Sequence, residues 1–599
     1  MCGIVGYIGQ RKALPILIHG LKKLEYRGYD SAGVSYIDNK HKVKIYKSVG
    51  RIAELEKKVS LEESTTIGIG HTRWATHGKV TESNSHPHQV GSITIVHNGI
   101  IENYQELKKQ LINYGYSFQS DTDTEVACCY IDYLYQNNQT HNMVEILSKC
   151  INSFKGSYAI VALVKDNPNQ LFVIKKDSPL IIGLGKNENY IASDISAYSD
   201  STSKYITLED LEIGVIEKDN VKLFLNGKKI TPQTKTINKK YQDNDKKDFP
   251  HYMLKEIYDQ EHLIQEWNTT YFDKNQIKKL PNLKEFKKIH IIGCGTAYHA
   301  GLIGKYLLEE YANIEVEVFI ASEYRYQKLF LDKDTCVIAV SQSGETADTI
   351  ACIKRVKEHD ISTIGIINVH DSSIARYVDE VIYTEAGQEI AVASTKAYTS
   401  QIYIFSLLVL RILLEQDKNQ FLEIKTSYQK LPQLIHKMIT ENYSSLIEMI
   451  YQKESIFYLG RNIDYITMLE GCLKLKEISY IHSEAMPAGE LKHGTISLMD
   501  KDACVIVMTT LKNLSSKTIS NIEEVKSRGA KVILLATTDL QTSITPTCYD
   551  EVLWLPKEIA YIQPLINIIP LQMIAYEVAI KLGLDIDKPR NLAKSVTVE

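Results

Sequence analysis

The feature that most constrains the fold is an internal repeat in the C-terminal half of the chain. The segment beginning at Asp334 (DTCVIAVSQSGETADTI) resembles the segment beginning at Asp502 (DACVIVMTTLKNLSSKTI), 168 residues later. A second pair of similar segments, at Ile353 and Ile522, is 169 residues apart. A period of one domain length indicates a duplicated domain rather than a solenoid. Continuous apolar strands followed by helices predict two doubly wound α/β domains with parallel sheets.

The first part of the chain, up to about residue 230, lacks this regular alternation. One amphipathic helix is predicted where Leu14, Leu17 and Leu21 share a face. Short β-rich runs predict strands at 3–8, 66–73, 92–101, 158–164, 171–174 and 180–184. Strands in this irregular arrangement favour an α+β layered domain. The polar, Lys-rich stretch from Gly227 to Phe249 predicts a last hairpin followed by a linker.

Composition excludes several classes of protein. The 599 residues are 44% hydrophobic and 24% charged, which rules out a mainly disordered or fibrous chain. A net charge of −4 lacks the basic excess of a general nucleic-acid binder. Ten cysteines without a C-x-x-C pair or a secretory signal indicate a reduced, cytosolic chain. The most apolar run, Ile402 to Leu414, is interrupted by Arg411 and predicts a buried core helix rather than a membrane span.

Cys2 is a candidate nucleophile. Removal of the initiator methionine would leave a thiol and an α-amine on one residue, and the amine could act as general base. An amide-cleaving thiol needs an oxyanion donor, which Asn98 and the Gly99 N–H could supply. Arg73 suits the carboxylate of a free amino acid, and Asp123 suits its ammonium. Taken alone, Cys2 is more simply interpreted as an incidental cysteine.

Several histidines lie close to these residues in the sequence. They are His71, His77, His86, His88 and His97. A metal site is one interpretation, but the spacings fit no standard zinc signature. Satisfied or exposed histidines are the simpler interpretation, and no metal is expected.

The strand from Cys336 to Val340 leads into the turn Ser341-Gln342-Ser343-Gly344-Glu345-Thr346. Backbone N–H groups, hydroxyls and a helix N-terminus at such a turn favour a phosphate, although an ordinary N-cap fits as well. The glycines after the preceding strand do not complete a dinucleotide fingerprint, since Tyr298 stands where the third glycine belongs. The second repeat has Thr509 to Lys512 at the corresponding turn, so one phosphate site per chain is expected.

Lys474, Glu477 and Lys594 could serve aldose–ketose and imine chemistry. Isomerisation needs a carboxylate that moves a proton between two carbons, and amination of a ketone is helped by an imine-forming lysine. A surface pair at i, i+3 and a disordered tail are the alternative interpretation.

Several motifs carry a resemblance to known families. CGIVGYIG, LEYRGYDSAG, HTRWATHG, HNGIIEN and SDTDTE resemble class II glutamine amidotransferases of the N-terminal-nucleophile fold. SQSGETADT and ASTKAYTSQ resemble sugar isomerase (SIS) domains. With the ending DKPRNLAKSVTVE, nearly the whole chain resembles the bacterial-type family of glutamine–fructose-6-phosphate aminotransferases (isomerizing), the glucosamine-6-phosphate synthases. The implied domains are a glutaminase at 1–238, a linker at 239–275, SIS domains at 276–430 and 431–585, and a tail at 586–599 that closes the active site.

The resemblance implies conversion of D-fructose 6-phosphate and L-glutamine to D-glucosamine 6-phosphate and L-glutamate, the first step of hexosamine synthesis. It implies a cytoplasmic homodimer without cofactor, nucleic acid or membrane. The implied catalytic residues are Cys2, Asn98, Gly99, Glu477, His493 from the neighbouring subunit, and Lys594. The implied glutamine-binding residues are Arg73, Trp74, Thr76, His77, Gly99 and Asp123. The implied sugar-binding residues are Ser341, Gln342, Ser343, Thr346, Val392, Ser394, Lys474 and Glu477. Trp74 and Ala593 are implied to line the ammonia channel.

One position departs from the family pattern, because Ala297 stands where a serine usually helps bind the phosphosugar. Weaker sugar binding is expected from the missing hydroxyl. Two alternative functions are a relative that acts on a different sugar or has lost glutaminase activity, and a non-catalytic phosphosugar sensor. The intact Cys2, Arg73, Asn98 and Asp123 argue against the first, and the complete glutaminase argues against the second.

Overall fold

The computed structural model describes residues 2–75, 78–237, 246–272, 274–416 and 418–597. The chain divides into two compact units: unit 1, Met1–Asn244 with Ala593–Glu599, and unit 2, Asp245–Leu592. The sheets of unit 1 are antiparallel and those of unit 2 are parallel. The predicted order of an α+β domain followed by tandem α/β domains is therefore confirmed.

The elements of unit 1 follow one another irregularly along the chain. They are β1 (Gly3–Ile8), α1 (Ala13–Leu24), β2 (Ser31–Ile37), β3 (Val43–Val49), α2 (Ile52–Glu56), β4 (Ile67–Arg73), β5 (His88–Val90), β6 (Ile93–Ile101), α3 (Tyr104–Asn113), α4 (Asp123–Gln136), α5 (Met143–Ser153), β7 (Gly156–Val164), β8 (Leu171–Lys176), β9 (Ile181–Leu184), β10 (Asn189–Ala192), β11 (Lys204–Thr207), β12 (Ile213–Ile216), β13 (Val221–Leu225), β14 (Lys228–Ile230) and β15 (Lys235–Thr236). The six predicted strands and the predicted helix all form.

Unit 1 is a four-layer structure with two sheets in the middle. The sheet orders are β15-β11-β9-β10-β1-β4-β2-β3 and β14-β13-β12-β8-β7-β6-β5. Apolar side chains from both sheets, among them Ile69 and Val96, form the core between them. Helix α1 covers the outer face of the first sheet, and helices α3, α4 and α5 cover the outer face of the second. The alternation of apolar residues along the strands directs them to these separate cores.

Unit 2 alternates strands and helices. Its elements are α6 (Tyr252–Tyr271), α7 (Lys274–Ile277), β16 (Lys288–Gly293), α8 (Thr296–Ala312), β17 (Glu315–Ile320), α9 (Ala321–Tyr324), β18 (Thr335–Ser341), α10 (Ala347–Lys357), β19 (Ser362–Ile367), α11 (Ser373–Tyr377), β20 (Glu380–Tyr383), α12 (Lys396–Gln416), α13 (Lys418–Ile439), α14 (Ser444–Ile450), β21 (Ser455–Gly460), α15 (Ile463–Ser479), β22 (His482–Pro487), β23 (Cys504–Thr509), α16 (Lys512–Lys526), β24 (Lys531–Thr537), β25 (Glu551–Leu555) and α17 (Gln563–Lys581).

The two copies of the repeat have the same topology. Their five-stranded parallel sheets are ordered β17-β16-β18-β19-β20 and β22-β21-β23-β24-β25. The residue before helix α8, Gly295, has φ 53° and ψ −125°, and its counterpart before helix α15, Asn462, has φ 54° and ψ −128°. The duplication predicted from the sequence therefore extends to the backbone conformation of single turns.

Helix α12 contains the apolar run noted in the sequence. Its segment Lys396–Leu414 is long and apolar enough to cross a membrane by length and composition, but 94% of it is buried inside the fold. It packs with helix α8 in the shared core of unit 2, as expected of a core helix.

Much of the range expected to act as a linker, 239–275, forms helix α6. Its apolar face, including Met253, Ile257, Ile264 and Trp267, is buried in the core of unit 2. The expected boundary after residue 238 lies outside the described residues.

Asp587 caps helix α6 from near the C-terminus. Its two carboxylate oxygens accept hydrogen bonds from the backbone N–H groups of Tyr252 and Met253, each at 2.9 Å. These are among the donors that a helix leaves unpaired at its start. We expect Asp587→Ala to destabilise the helix by about 1 kcal/mol and to accelerate hydrogen exchange of the α6 amides. Asp587→Asn keeps one acceptor oxygen and should show a smaller change; equal exchange in all three proteins would contradict the capping role.

Candidate active sites

Antiparallel pairing of β1 with β4 brings Cys2 to the end of β4. Gly3 lies opposite Thr72 in this register, so Cys2 lies beside Arg73 and Trp74. The Cys2 Sγ accepts a hydrogen bond from the backbone N–H of Trp74 at 3.3 Å. Burial raises the pKa of the Cys2 thiol, and this N–H group and the charge of Arg73 partly counteract the effect. The backbone donor and the positive charge of Arg73 reduce the cost of forming the thiolate, but burial outweighs them, so the resting group is the protonated thiol.

Asn98, near the end of β6, lies next to Cys2. Its Nδ2 donates a hydrogen bond to the Cys2 carbonyl oxygen at 3.0 Å. The following residue, Gly99, has φ +119°, and a Cβ there would come within 2.0 Å of the Ser157 carbonyl oxygen. Only glycine fits this position, which directly follows the residue that contacts Cys2.

Arg73 and Asp123, the residues expected to bind glutamine, are 4% and 5% exposed. Two nitrogens of the Arg73 guanidinium donate long hydrogen bonds to the Lys79 and Gly78 carbonyl oxygens, at 3.4 and 3.5 Å. The Asp123 carboxylate accepts a hydrogen bond from the Ile101 N–H at 2.8 Å. Burial lowers the pKa of Arg73, and the negative charge of Asp123 opposes that shift. A cation and an anion therefore share the buried site with the thiol.

Trp74 is half-buried, and its ring meets that of Tyr29 edge-on at 5.7 Å. Thr76 and His77, also expected to bind glutamine, lie outside the described residues.

Sequence reasoning missed two charged residues beside the thiol. Arg27, 5% exposed, donates a hydrogen bond through Nε to the Cys2 carbonyl oxygen at 3.3 Å. The Asp30 carboxylate accepts a hydrogen bond from the Ala75 N–H at 2.8 Å, and its negative charge opposes the lowering of the Arg73 pKa. Both belong to the motif LEYRGYDSAG. The charged residues of this motif, which already carried the family resemblance, were the signal that could have identified them.

Four of the histidines discussed above, His71, His86, His88 and His97, are buried in unit 1. Within the part of the chain that the structure describes, no group of three or more His, Cys, Asp or Glu side chains is arranged to hold a metal ion.

In unit 2, the turn between β18 and α10 connects the end of a buried strand to the N-terminus of a helix. The Ser341 Oγ lies 3.2 Å from the Thr346 Oγ1 and accepts a hydrogen bond from the Gly344 N–H at 3.0 Å. Gly344 has φ +64°, and a Cβ there would collide with the Ser372 Oγ at 1.9 Å. Thr346 is the N-cap of α10 and makes no side-chain capping hydrogen bond. Gln342 and Ser343 are half-buried in the same turn.

Lys474 and Glu477 form an ion pair on helix α15, with Lys474 Nζ 2.5 Å from Glu477 Oε2. The Lys474 side chain is fully buried and that of Glu477 is 19% exposed, so the alternative of a surface pair is wrong. Burial opposes the charge on Lys474, but Glu470 and Glu477 together raise its pKa. The carboxylates therefore keep the ammonium charged in a site that is shielded from bulk solvent.

Three further residues complete this network. Glu470, also fully buried, accepts a hydrogen bond from the Thr296 hydroxyl at 3.0 Å and lies 2.7 Å from the His299 Nδ1. The Thr296 hydroxyl accepts a hydrogen bond from Lys474 at 3.1 Å. Burial opposes ionisation of Glu470, yet Lys474 and His299 lower its pKa. The sequence signal was the spacing of Glu470 four residues before Lys474, which places both on one helical face.

The remaining expected sugar contacts lie on the segment before α12. The backbone N–H of Val392 donates a hydrogen bond to the Asp587 carbonyl oxygen at 3.0 Å, and Ser394 is half-buried. Ala297 lies on the first turn of α8, next to Thr296.

In the second copy of the repeat, a carboxylate of the protein itself accepts hydrogen bonds from the corresponding turn. Asp464 accepts hydrogen bonds from the Thr510 N–H at 2.8 Å and the Thr510 hydroxyl at 2.5 Å. Burial raises the pKa of Asp464 to about 6, and the two Thr510 donors act in the opposite direction. These donors, at the turn before α16, are already used by the protein itself.

The structure also describes three further residues that are expected to act in catalysis or to line the channel. His493 is exposed on the short turn Glu490–His493. Ala593 and Lys594 are half-buried in the C-terminal segment that groups with unit 1.

Comparison with known families agrees with these geometries. The SIS domain model matches residues 282–411 and 449–582, and the glutamine amidotransferase domain model matches residues 71–200. A solved C-terminal domain of glucosamine-fructose-6-phosphate aminotransferase from Francisella tularensis covers 58% of this chain and 100% of its own, with a TM-score of 0.55 and 35% identity.

Relatives also match over the full length. The glutamine–fructose-6-phosphate aminotransferases (isomerizing) of Clostridium tetani and Aquifex aeolicus are 46% and 42% identical to this chain, each over 100% of both sequences. The chain belongs to the glutamine–fructose-6-phosphate aminotransferase (isomerizing) family.

Proposed function

We propose that this protein converts D-fructose 6-phosphate and L-glutamine to D-glucosamine 6-phosphate and L-glutamate. The observation that carries the proposal is the presence of two complementary sites in one chain. The Cys2 thiol lies beside Asn98 in unit 1, and the fully buried Lys474 pairs with Glu477 in unit 2. One site can release ammonia from an amide, and the other can move a proton on a sugar.

In the glutaminase half, the Cys2 sulfur attacks the side-chain carbonyl carbon of glutamine. The oxyanion that forms is stabilised by the Asn98 amide and the Gly99 N–H. Collapse of this intermediate releases ammonia and leaves a thioester, which water hydrolyses to glutamate and free thiol. Arg73 and Asp123 hold the glutamine α-carboxylate and α-ammonium, supported by their burial next to Cys2.

In the sugar half, Ser341, Gln342, Ser343 and Thr346 hold the phosphate. Lys594 forms an imine with C2 of the opened sugar and releases water; ammonia then displaces the lysine. Glu477 removes a proton from C1 and delivers it to C2, which converts the fructosimine to glucosamine 6-phosphate. Lys474 assists, and its ion pair with Glu477 supports a shared role. Val392 and Ser394 contact the sugar.

Several features couple the two halves in this proposal. Removal of Met1 frees the Cys2 α-amine as general base, and the tail from 586 onward closes the active site. Trp74 and Ala593 line the ammonia path. The enzyme is a cytoplasmic homodimer in which His493 opens the sugar ring of the neighbouring subunit; the exposure of His493 is compatible with that role. Occupation of the second turn by Asp464 supports one phosphosugar site per chain.

Isotope labelling tests the proposal directly. Glutamine labelled with ¹⁵N in the amide is incubated with the protein and fructose 6-phosphate, and mass spectrometry follows the label. The expected result is ¹⁵N in glucosamine 6-phosphate. Labelled free ammonia without labelled amino sugar would contradict the sugar half, and an absence of label release would contradict the glutaminase half.

Ala297 permits a gain-of-affinity prediction. We expect Ala297→Ser to lower the KM for fructose 6-phosphate by about tenfold or more, because a hydrogen bond to a charged group contributes about 1.5–3 kcal/mol. The rate of glutamine hydrolysis at saturating sugar should stay the same. Ala300→Ser, on the same helix but buried in the core, is the matched control and should not lower KM. A KM that is unchanged in Ala297→Ser would show that this position does not face the phosphosugar.

A further inference from the structure

His71, on β4, contacts Asn98 from the opposite sheet. The His71 Nε2 lies 3.1 Å from the Asn98 Oδ1 and 3.0 Å from the backbone carbonyl oxygen of His97. The two contacting side chains are 0% and 5% exposed. This is a hydrogen bond between the two sheets of unit 1, directly behind the residue that contacts Cys2.

Strand alternation accounts for the meeting of these side chains. Successive residues of a strand face opposite sides, so His71 faces the same side as Ile69, which lies in the core between the sheets. On β6, Asn98 faces the same side as Val96, which lies in that same core. The two polar residues therefore replace apolar ones at the end of the inter-sheet core.

The contacts of His71 determine its tautomer. A backbone carbonyl can only accept a hydrogen bond, so the Nε2 that faces the His97 carbonyl must carry the proton. The other ring nitrogen, Nδ1, is buried and has no hydrogen-bond partner among the described residues. A neutral ring protonated at Nε2 therefore avoids burying an unpaired N–H group.

The tautomer in turn determines the orientation of the Asn98 amide. Because Nε2–H is a donor, the atom of Asn98 that faces it must be the acceptor Oδ1. The amide nitrogen Nδ2 is then on the side of Cys2, where it donates to the carbonyl oxygen at 3.0 Å. With the amide reversed, an oxygen would face the site and repel a developing oxyanion.

Burial keeps the His71 ring uncharged. Burial, aided by the charge of Arg73, lowers the pKa of His71 to about 3, and the hydrogen bonds to Asn98 and His97 offset this only in part. The ring of His86 packs against it at 4.1 Å between centroids. A neutral, fixed donor is thus maintained across the physiological pH range.

We propose that His71 is a positioning residue for glutamine hydrolysis. Its Nε2–H, held by the His97 carbonyl oxygen, fixes the orientation of the Asn98 amide so that Nδ2 points toward the oxyanion. The inference rests on the proposed role of Asn98. It assigns a purpose to a buried histidine that the reaction scheme itself does not use.

The test is a double-mutant cycle on glutamine hydrolysis. Asn98→Ala is expected to lower kcat by about 10²–10³-fold, as for loss of an oxyanion donor. His71→Leu is expected to lower kcat by about 10–100-fold, typical of a lost supporting contact, with KM within twofold of the original. In the Asn98→Ala background the same His71→Leu change should lower kcat by less than about twofold, because the amide it orients is gone. His71→Gln, which can place a nitrogen donor near the Nε2 position, should restore most of the activity.

Alkylation of Cys2 by iodoacetamide separates positioning from damage to the fold. This displacement reaction forms no oxyanion, so its rate should remain within about twofold in His71→Leu. Equal losses in both backgrounds, a rise in KM without loss of kcat, or a parallel fall in the alkylation rate would overturn the inference. Full activity of Asn98→Ala would overturn the role of Asn98 and this inference with it, while the Cys2 variant below tests the proposed function independently.

Discussion

Replacement of Cys2 by alanine is expected to lower the rate of glutamine hydrolysis by a factor on the order of 10⁴–10⁶, as found when a catalytic nucleophile is removed. Without the sulfur no thioester can form. Water would have to attack the amide directly, so only the oxyanion donors would still contribute to catalysis. The measurement is glutamate release from glutamine in the presence of fructose 6-phosphate.

Two controls make this result specific. Cys150→Ala removes a buried thiol from helix α5, in the layer on the far side of the second sheet, and should leave glutamine hydrolysis near its original rate. The Cys2→Ala protein should still interconvert fructose 6-phosphate and glucose 6-phosphate, because that proton transfer needs no ammonia. Retained glutamine hydrolysis in Cys2→Ala would rule out the proposed nucleophile.

Glu477→Gln is expected to lower formation of glucosamine 6-phosphate by about 10²–10⁴-fold, the usual contribution of a general base. The amide has nearly the shape of the carboxylate but cannot accept the C1 proton. Lys474 keeps its second carboxylate partner, Glu470, at 3.4 Å, so the buried ammonium stays paired and the helix should remain folded. Product formation and deuterium incorporation at C2 of the sugar in D₂O measure the same step.

A matched substitution on an exposed carboxylate serves as the control for Glu477. Glu484→Gln changes an exposed carboxylate on strand β22 and should leave product formation and deuterium incorporation unchanged. Glutamine hydrolysis should persist in Glu477→Gln, since its residues lie in unit 1. Deuterium incorporation at the original rate in Glu477→Gln would assign the proton transfer to another residue.

The amino-acid sequence was sufficient to predict the architecture. The repeat with a period near 168 residues predicted two equivalent domains, and the structure has two parallel sheets of one strand order. Short β-rich runs, several of them alternating in period two, predicted six strands of unit 1 that all form. Both signals can be found along the chain itself. Hydrophobic periodicity reflects which face of each element is buried, and a duplication appears as two similar stretches of sequence.

Local sequence patterns do not predict the environments of individual site residues. Sequence reasoning treated Lys474 and Glu477 alone as either a surface pair or a catalytic pair, whereas the structure buries Lys474 fully beside Glu470 and Thr296. The contact from Glu470 to His299 spans 171 residues of sequence. Such a contact depends on how two helices from different copies of the repeat pack together.

Patterns along the chain are therefore enough to predict the fold class, the duplication and the types of residue that both sites would need. Which buried polar groups satisfy one another depends instead on how the elements pack together. The hydrogen bond of His71 to Asn98 crosses from one sheet to the other, and the side-chain pattern of either strand alone does not predict it. The physical reason is that a buried polar group must find a partner wherever the packing brings one, and packing joins residues that are distant in sequence.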